Sequence, residues 1–366
     1  MSENALTSKQ LRSALTRCID TKRPAFIWGP PGIGKSDLIA QITKEKGGHM
    51  IDLRMGQLDP MDLRGIPVPN KETGTMEFYP LGDLPTKELA EEYPLVVLFL
   101  DELTSAPPSV LAAGYQLVLD RKIGKYELPD NVVVIAAGNR DSDKGVTFRM
   151  PTPLANRFTH FEMRTDFDSW FEWAIEHRIH KDIVGFLSFS KKDLYDFDPK
   201  QSGRVFATPR SWTFTSELIS GGNIDDTTMK HLIAGTVGEG MAISLMAYRK
   251  ISGKLPNPVD VLNGRVMKLD TDEASAMYSL TISMCYELQD FTRSAAYKEK
   301  NGDDVFHDMC DNFFRFMMEN FDKELVIMGA RVAIKTYNLP INTTKLNYFD
   351  EFYDRFGHYI VNVSKN

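Results

Sequence analysis

Ala25-Phe26-Ile27-Trp28-Gly29-Pro30-Pro31-Gly32-Ile33-Gly34-Lys35-Ser36 is the stretch on which the fold turns. A short apolar run suited to a buried strand passes into a loop with the spacing G-x-x-x-x-G-K-[ST]. A helical pattern follows over residues 36–46. The chemistry that needs this order is phosphate binding. Glycines let main-chain N–H groups converge on phosphate oxygens, a helix start adds favourable partial charge, and a lysine balances the terminal phosphates. Gly29, Pro30, Pro31, Gly32, Ile33, Gly34, Lys35 and Ser36 are therefore the candidate nucleotide-binding residues, with the Ser36 hydroxyl on Mg²⁺. A Gly/Pro turn that binds nothing draws on the same residue types, but seldom between a buried strand and a helix with the whole pattern intact.

Two further apolar runs, residues 95–100 and 132–137, read as buried strands of a parallel sheet. Between them residues 107–120 carry Val110, Leu111, Gly114, Leu117 and Val118 on one helical face. Strand alternating with helix predicts an α/β fold with a wound parallel sheet. A Pro- and Gly-rich interruption at 57–85 contains a predicted hairpin over 66–79, turning at 71–74. A second hairpin is predicted over 122–128, turning at Gly124 and Lys125.

The strand at 95–100 runs into Asp101-Glu102, and ligands of open parallel sheets bind at that end of the strands. Asp101 is the candidate metal-side carboxylate, and Glu102 is the candidate base that polarises the attacking water. Standing alone, Asp-Glu could simply end a strand and cap a helix; the phosphate loop upstream decides for chemistry. Asn139 follows the third strand, where a neutral amide can help hold the same water. Arg157, in Pro153-Leu-Ala-Asn156-Arg157-Phe158, offers a fixed charge that could reach a phosphate held by an adjacent subunit, and Arg149 and Arg140 are open alternatives.

Beyond Met163 the pattern turns helical. Asp166 is placed to cap a helix bearing Trp170, Phe171, Ala174, Ile175 and Ile179. Residues 253–264 read as a Pro/Gly linker into a last helical region, with Met277, Thr281, Cys285, Leu288 and Phe291 on one stripe. The predicted organisation is a nucleotide-binding α/β domain at 1–164, a helical lid domain at 165–252 and a C-terminal helical region at 253–366. Phe313, Phe314, Phe316 and Met317 in that last region read as helical core, or else as a docking surface.

Composition agrees with a globular chain. Of 366 residues 42% are hydrophobic and 25% charged, enough to bury a sizeable core and too many for one core alone. The 43 basic residues fall short of the 50 acidic ones, and the net charge of -7 gives no overall field for a polyanion. Cys18, Cys285 and Cys310 lack metal or disulfide spacing, the start is polar, and no apolar run could span a bilayer, so a cytoplasmic protein is expected. His177 with His180, and His307 with Cys310, lack a third ligand and read as structural. Asn70-Lys71-Glu72-Thr73 stops short of a guanine-reading motif, since Thr73 replaces the carboxylate, and ATP is expected over GTP.

The phosphate loop, Asp101-Glu102, Asn139, Arg157 and Ala207-Thr-Pro-Arg210-Ser-Trp212, in this order, resemble the AAA+ superfamily and specifically its MoxR-like branch. The resemblance runs over roughly residues 25–251 and includes Asp101-Glu-Leu-Thr-Ser-Ala-Pro-Pro108, an acidic motif followed by a proline-opened helix. It implies that Lys35 and Ser36 bind ATP and Mg²⁺, that Glu102 activates water and that Asn139 is a first sensor. It further implies Arg157 as a finger acting in trans and Arg210 as a second sensor. Asn156 departs from the aspartate many relatives carry there. The resemblance also implies a homo-oligomeric ring, plausible as a hexamer, hydrolysing ATP at subunit interfaces to remodel a protein client or adaptor. A von Willebrand factor A domain protein is the first partner it suggests. Two other readings stand beside it: a nucleic-acid motor, thinly supported by Lys71 and Lys87, and a nucleotide-gated assembly scaffold.

Overall fold

The apolar runs form strands, and two strands join them that hydrophobicity does not reveal. The computed structural model describes residues 5–361 apart from 80, 81, 83, 124, 125, 141, 142, 144–147, 149, 199–202, 223 and 272. Its strands are β1 (Ala25–Trp28), β2 (His49–Arg54), β3 (Ile66–Asn70), β4 (Thr75–Tyr79), β5 (Val96–Asp101), β6 (Lys122–Ile123), β7 (Tyr126–Glu127), β8 (Val132–Gly138) and β9 (Thr159–Glu162). Five of them make one sheet in the order β2-β5-β8-β1-β9, and every pairing in it is parallel. The predicted sheet held three strands; β2 and β9 are the additions, and they are its two edges. Their sequences, His-Met-Ile-Asp-Leu-Arg and Thr-His-Phe-Glu, mix polar with apolar residues, as suits an edge strand partly open to solvent. β8, in the middle, is buried along its whole length.

The parallel register carries the chain ends that matter to one edge. Trp28 of β1 lies level with Gly138 of β8, and Leu100 of β5 lies level with Ala136. The loops after β5, β8 and β1 therefore open side by side, at the point where the strand order reverses around β1. Below them the helix Pro108–Asp120 buries Val110, Leu111, Ala113, Gly114, Leu117 and Val118, the face predicted for it, against Phe26, Leu98, Leu100 and Val134. Pro108, fixed in φ and lacking an N–H, starts this helix.

The predicted hairpin at 66–79 is present as the antiparallel pair β3–β4, with Ile66, Val68, Met76, Phe78 and Tyr79 exposed. β6 and β7 form the second hairpin, whose turn at 124 and 125 lies outside the described residues.

The chain clusters into two units, one running through Ser169 and the other holding Trp170–Phe197 and the residues from Gly203 onward. Asp166, near the end of the first unit, caps the helix Phe167–Glu176 as expected, its carboxylate accepting from the N–H and the hydroxyl of Ser169 at 2.9 and 2.7 Å. Two expectations need correction. Residues 253–264 are not a plain linker: Asn257 caps a short helix, Pro258–Leu262, whose Val261 and Leu262 are buried against neighbouring helices. The helix Ala274–Arg293 carries no single stripe either, because Ser279 through Cys285 are all buried. Helices pack around it, including Lys181–Phe189, Glu239–Ser252 and Gly302–Asn320, so Ser279, Thr281 and Ser283 sit inside. Phe313, Phe314, Phe316 and Met317 are buried core.

Gly138 closes β8 where no side chain fits. A Cβ there would stand 2.6 Å from Thr104 Oγ1 and 2.9 Å from Phe26 Cζ. Gly138→Ala is expected to lower stability by about 1–3 kcal/mol through overpacking, read from denaturant unfolding of the two proteins side by side.

Candidate nucleotide-binding site

The loop after β1 keeps its shape through its glycines. A Cβ on Gly29 would meet Ile33 Cδ1 at 2.8 Å and the Met163 carbonyl at 3.0 Å, while its N–H donates to the Gly138 carbonyl at 3.3 Å. Gly32 and Gly34 take φ of 75° and 88°, the left-handed region open to glycine at little cost. Gly34 is also the N-cap of the helix Lys35–Glu45, so the loop delivers its main chain directly to a helix start. Lys35 begins that helix with a buried side chain. Its ammonium donates to the Gly29 carbonyl at 2.6 Å, the Pro30 carbonyl at 2.9 Å and Asn139 Oδ1 at 3.4 Å. Two residues singled out after different strands, Lys35 after β1 and Asn139 after β8, thus meet. Ser36 follows, half-buried.

β5 delivers the carboxylates. Asp101 ends the strand half-buried and accepts the Glu102 N–H at 2.9 Å. Glu102 itself takes φ 54° and ψ 32°, a left-handed conformation that costs a non-glycine residue roughly 1 kcal/mol. That turn swings its side chain out of the strand line and into solvent, with Oε2 resting 3.4 Å from where a Gly56 Cβ would be.

Neighbouring β2 adds groups that sequence reasoning missed. Asp52, exposed on β2, has its pKa raised by desolvation from the surrounding strand ends and by the charge of Asp101, with Arg54 opposing and Glu102 adding a little. Arg54 lies level with Asp101 across the β2–β5 pairing. No apolar run marks β2, so nothing in the sequence placed these residues beside Asp101 and Glu102.

Asn139 follows β8, and its carbonyl accepts from the buried Thr104 hydroxyl at 3.4 Å. The Thr104 carbonyl in turn accepts the Phe148 N–H at 2.6 Å. Thr104, also unforeseen, joins the turn after Glu102 to the loop after Asn139. The three arginines differ sharply. Arg140 pairs with Asp143 at 3.3 Å and, closely, with Glu162. Burial would lower its pKa, but these two carboxylates outweigh burial and raise it. Arg149 lies outside the described residues. Arg157 is exposed at the end of the helix Thr152–Ala155, with no ion pair among the described residues. Arg210 belongs to the second unit, exposed in the first turn of the helix Pro209–Ile219, where Thr208 and Ser211 form a capping box and Trp212 is fully buried.

Residues 25–167 match the family described as ATPase family associated with various cellular activities (AAA). Over that stretch the chain matches an AAA ATPase domain. The family implies nucleotide binding, usually with Mg²⁺, and ATP hydrolysis as its general activity. Among solved structures, the chain is similar to a putative ATPase from Cytophaga hutchinsonii, with 14% identity over 98% of this chain and 89% of that one and a TM-score of 0.36. It is similar to NtrX from Brucella abortus, with 14% identity over 85% and 69% and a TM-score of 0.40. It is also similar to a mutant of RuvB from Thermotoga maritima, with 16% identity over 70% and 73% and a TM-score of 0.35.

The residues of the AAA domain fit ATP and Mg²⁺. The loop around Gly29 is a main-chain cradle that a Cβ would fill, and hydroxyl and carboxylate oxygens from Ser36 and Asp101 are the hard donors Mg²⁺ takes beside phosphate and water. Among the described residues no group of three or more His, Cys, Asp or Glu is placed to hold a metal without such help. The histidines weighed earlier are structural: His177 stacks on Trp173 at 4.4 Å, and burial lowers the pKa of His180. The buried ring of His307 is spent on the Asp303 carbonyl at 2.6 Å and the Asn342 N–H at 2.9 Å. No helix among the described residues is long and apolar enough to cross a membrane.

Asp52 yields a pH-dependent prediction. Its folded pKa stands above the unfolded one, so its ionised form weakens the fold above that pKa, and the penalty fades as pH falls through it. Asp52→Asn is expected to raise the melting temperature at about pH 7, with the gain shrinking toward about pH 4, where unfolded carboxyls protonate; melts of both proteins across that range check it.

Proposed function

We propose that this chain is a MoxR-like AAA+ ATPase that assembles as a ring, with six protomers as the expected number. In this reading it hydrolyses ATP at subunit interfaces in the cytoplasm to remodel a protein client or adaptor. One observation carries the reading: the Lys35 ammonium reaches Asn139 across the β1–β8 pairing, while β5 on the other side of β8 ends in Asp101-Glu102. Cation, amide and carboxylate pair thus belong to three adjacent strand ends, the set that phosphoryl transfer to water needs. The protein-partner reading draws on the resemblance and on the exposed apolar residues of β3–β4. The net charge of -7 speaks against a nucleic-acid motor. A von Willebrand factor A domain protein is the partner to test first. We further assign residues 165–252 to a lid and 253–366 to an additional helical region.

Bound ATP and Mg²⁺ supply the phosphoryl group and the neutralising cation. The chain's part is positioning and electrostatics. Gly29 to Gly34 direct main-chain N–H groups inward, Lys35 balances charge, and Ser36 with Asp101 hold the cation. Glu102 accepts a proton from water, and Asn139 orients the same water. Arg157 of an adjacent protomer is the finger, because Arg140 is already committed to Asp143 and Glu162 within its own protomer. Arg210 is assigned as second sensor on the resemblance.

Three substitutions separate these roles. Lys35→Ala is expected to lose ATP binding in a calorimetric titration. Glu102→Gln should bind ATP and retain it unhydrolysed. Arg157→Ala should bind ATP yet lose roughly 10³-fold or more in turnover, the scale of an arginine finger. Undiminished turnover by Arg157→Ala would rule out the finger, and undiminished ATP affinity of Lys35→Ala would rule out the site.

A further inference from the structure

β1 and β9 run parallel, with Phe26 level with His160. Phe26, Trp28, Phe158 and His160 form an aromatic cluster on one face of this pair. Ring centroids are 4.4 Å apart for Phe26 and Trp28, 5.6 Å for Phe26 and Phe158, and 6.0 Å for Trp28 and His160, whose planes lie within 24°. Two hydrogen bonds give the cluster a direction. An indole N–H can only donate, so the contact of Trp28 Nε1 with His160 Nδ1 at 3.0 Å makes that nitrogen the acceptor. The ring proton then sits on Nε2, which donates to the Ala155 carbonyl at 2.8 Å.

Ala155 is the last residue of the short helix Thr152–Ala155, and its carbonyl also accepts the Phe158 N–H at 3.2 Å. Asn156 and Arg157 lie in the turn between. One carbonyl thus receives a main-chain bond that closes the turn and a side-chain bond that ties it to β1. Trp28, at the other end of the relay, immediately precedes Gly29, and its carbonyl accepts the Met163 N–H at 2.7 Å. The path from the phosphate loop to the Arg157 turn is therefore two side chains long: an indole and an imidazole.

We infer that His160 is a positioning residue that fixes the Arg157 turn to the strand feeding the phosphate loop. Nucleotide seated in one protomer is thereby linked to the guanidinium that protomer offers its neighbour. The inference rests on the trans role of Arg157 proposed above. Because the imidazole uses one nitrogen as acceptor and the other as donor, a side chain lacking either function breaks the link. Glutamine retains both.

The test uses the full chain with His160→Ala, His160→Gln, Trp28→Phe, Arg157→Ala and the double substitution of His160 and Arg157 to alanine. ATP affinity is measured by calorimetry and hydrolysis under single turnover, so that slow rates remain readable. His160→Ala is expected to slow hydrolysis by about tenfold or more, as loss of alignment does, while ATP affinity and assembly stay at wild-type values. His160→Gln should recover most of the rate, and Trp28→Phe, which removes only the donor, should fall between. Added to Arg157→Ala, the His160 substitution should cost nothing further, because both act through one group. Wild-type hydrolysis by His160→Ala overturns the inference, as does the same fold-loss in the Arg157→Ala background. If His160→Ala fails to fold, wild-type hydrolysis by Trp28→Phe overturns it instead. Failure of the trans role itself shows separately, as wild-type turnover by Arg157→Ala alone.

Discussion

The buried ammonium of Lys35 is the constraint on which the site depends. Removing a lysine head group from water is costly unless oxygens surround it in good geometry. Here the carbonyls of Gly29 and Pro30 and the amide of Asn139 do so. Those carbonyls converge only because the loop bends back through glycines at left-handed φ and because Gly29 lies against Ile33 and Met163 without a Cβ. The amide arrives only because β8 pairs with β1 in parallel register. One cation thereby makes the sheet order, the loop and the strand end mutually necessary.

Small residues at close approaches hold the remaining groups in step. Gly138 lets Thr104 and Phe26 press against the end of β8, and Thr104 then reaches the Asn139 carbonyl. The Glu102 carboxylate rests beside Gly56, just after β2. Glu102 accepts a left-handed backbone to reach it, a local cost that the surrounding core is large enough to absorb. The Glu102 carboxylate and the amide that faces Lys35 are therefore set on neighbouring strand ends.

The aromatic cluster on β1 and β9 extends this order to the far edge of the sheet, where a strand of mixed polarity follows buried Phe158 and carries His160. The second unit is organised differently. Its helix Ala274–Arg293 is enclosed by neighbours, and the hydroxyls of Ser279 and Thr281 are satisfied inside, by Ser252 at 2.6 Å and by the Met277 carbonyl at 2.8 Å. Polar side chains with local partners let a helix be buried all round without a uniformly apolar sequence.

By itself the sequence determined the phosphate loop, the three central strands, the helix Pro108–Asp120 with its buried face, the capped helix after Asp166 and both hairpins. These rest on local signals: continuous apolar runs, glycines at fixed spacing, caps and turns. It also named Lys35, Asp101, Glu102, Asn139 and Arg157, because each follows a legible element. Tertiary structure alone decided the edge strands β2 and β9, since an edge side chain answers to solvent on one side and shows no apolar run. With them came Asp52, Arg54, Gly56 and His160, whose surroundings are built by pairing between segments far apart in the chain. It alone also showed the pairing of Arg140 with Glu162 at the end of β9, 22 residues onward.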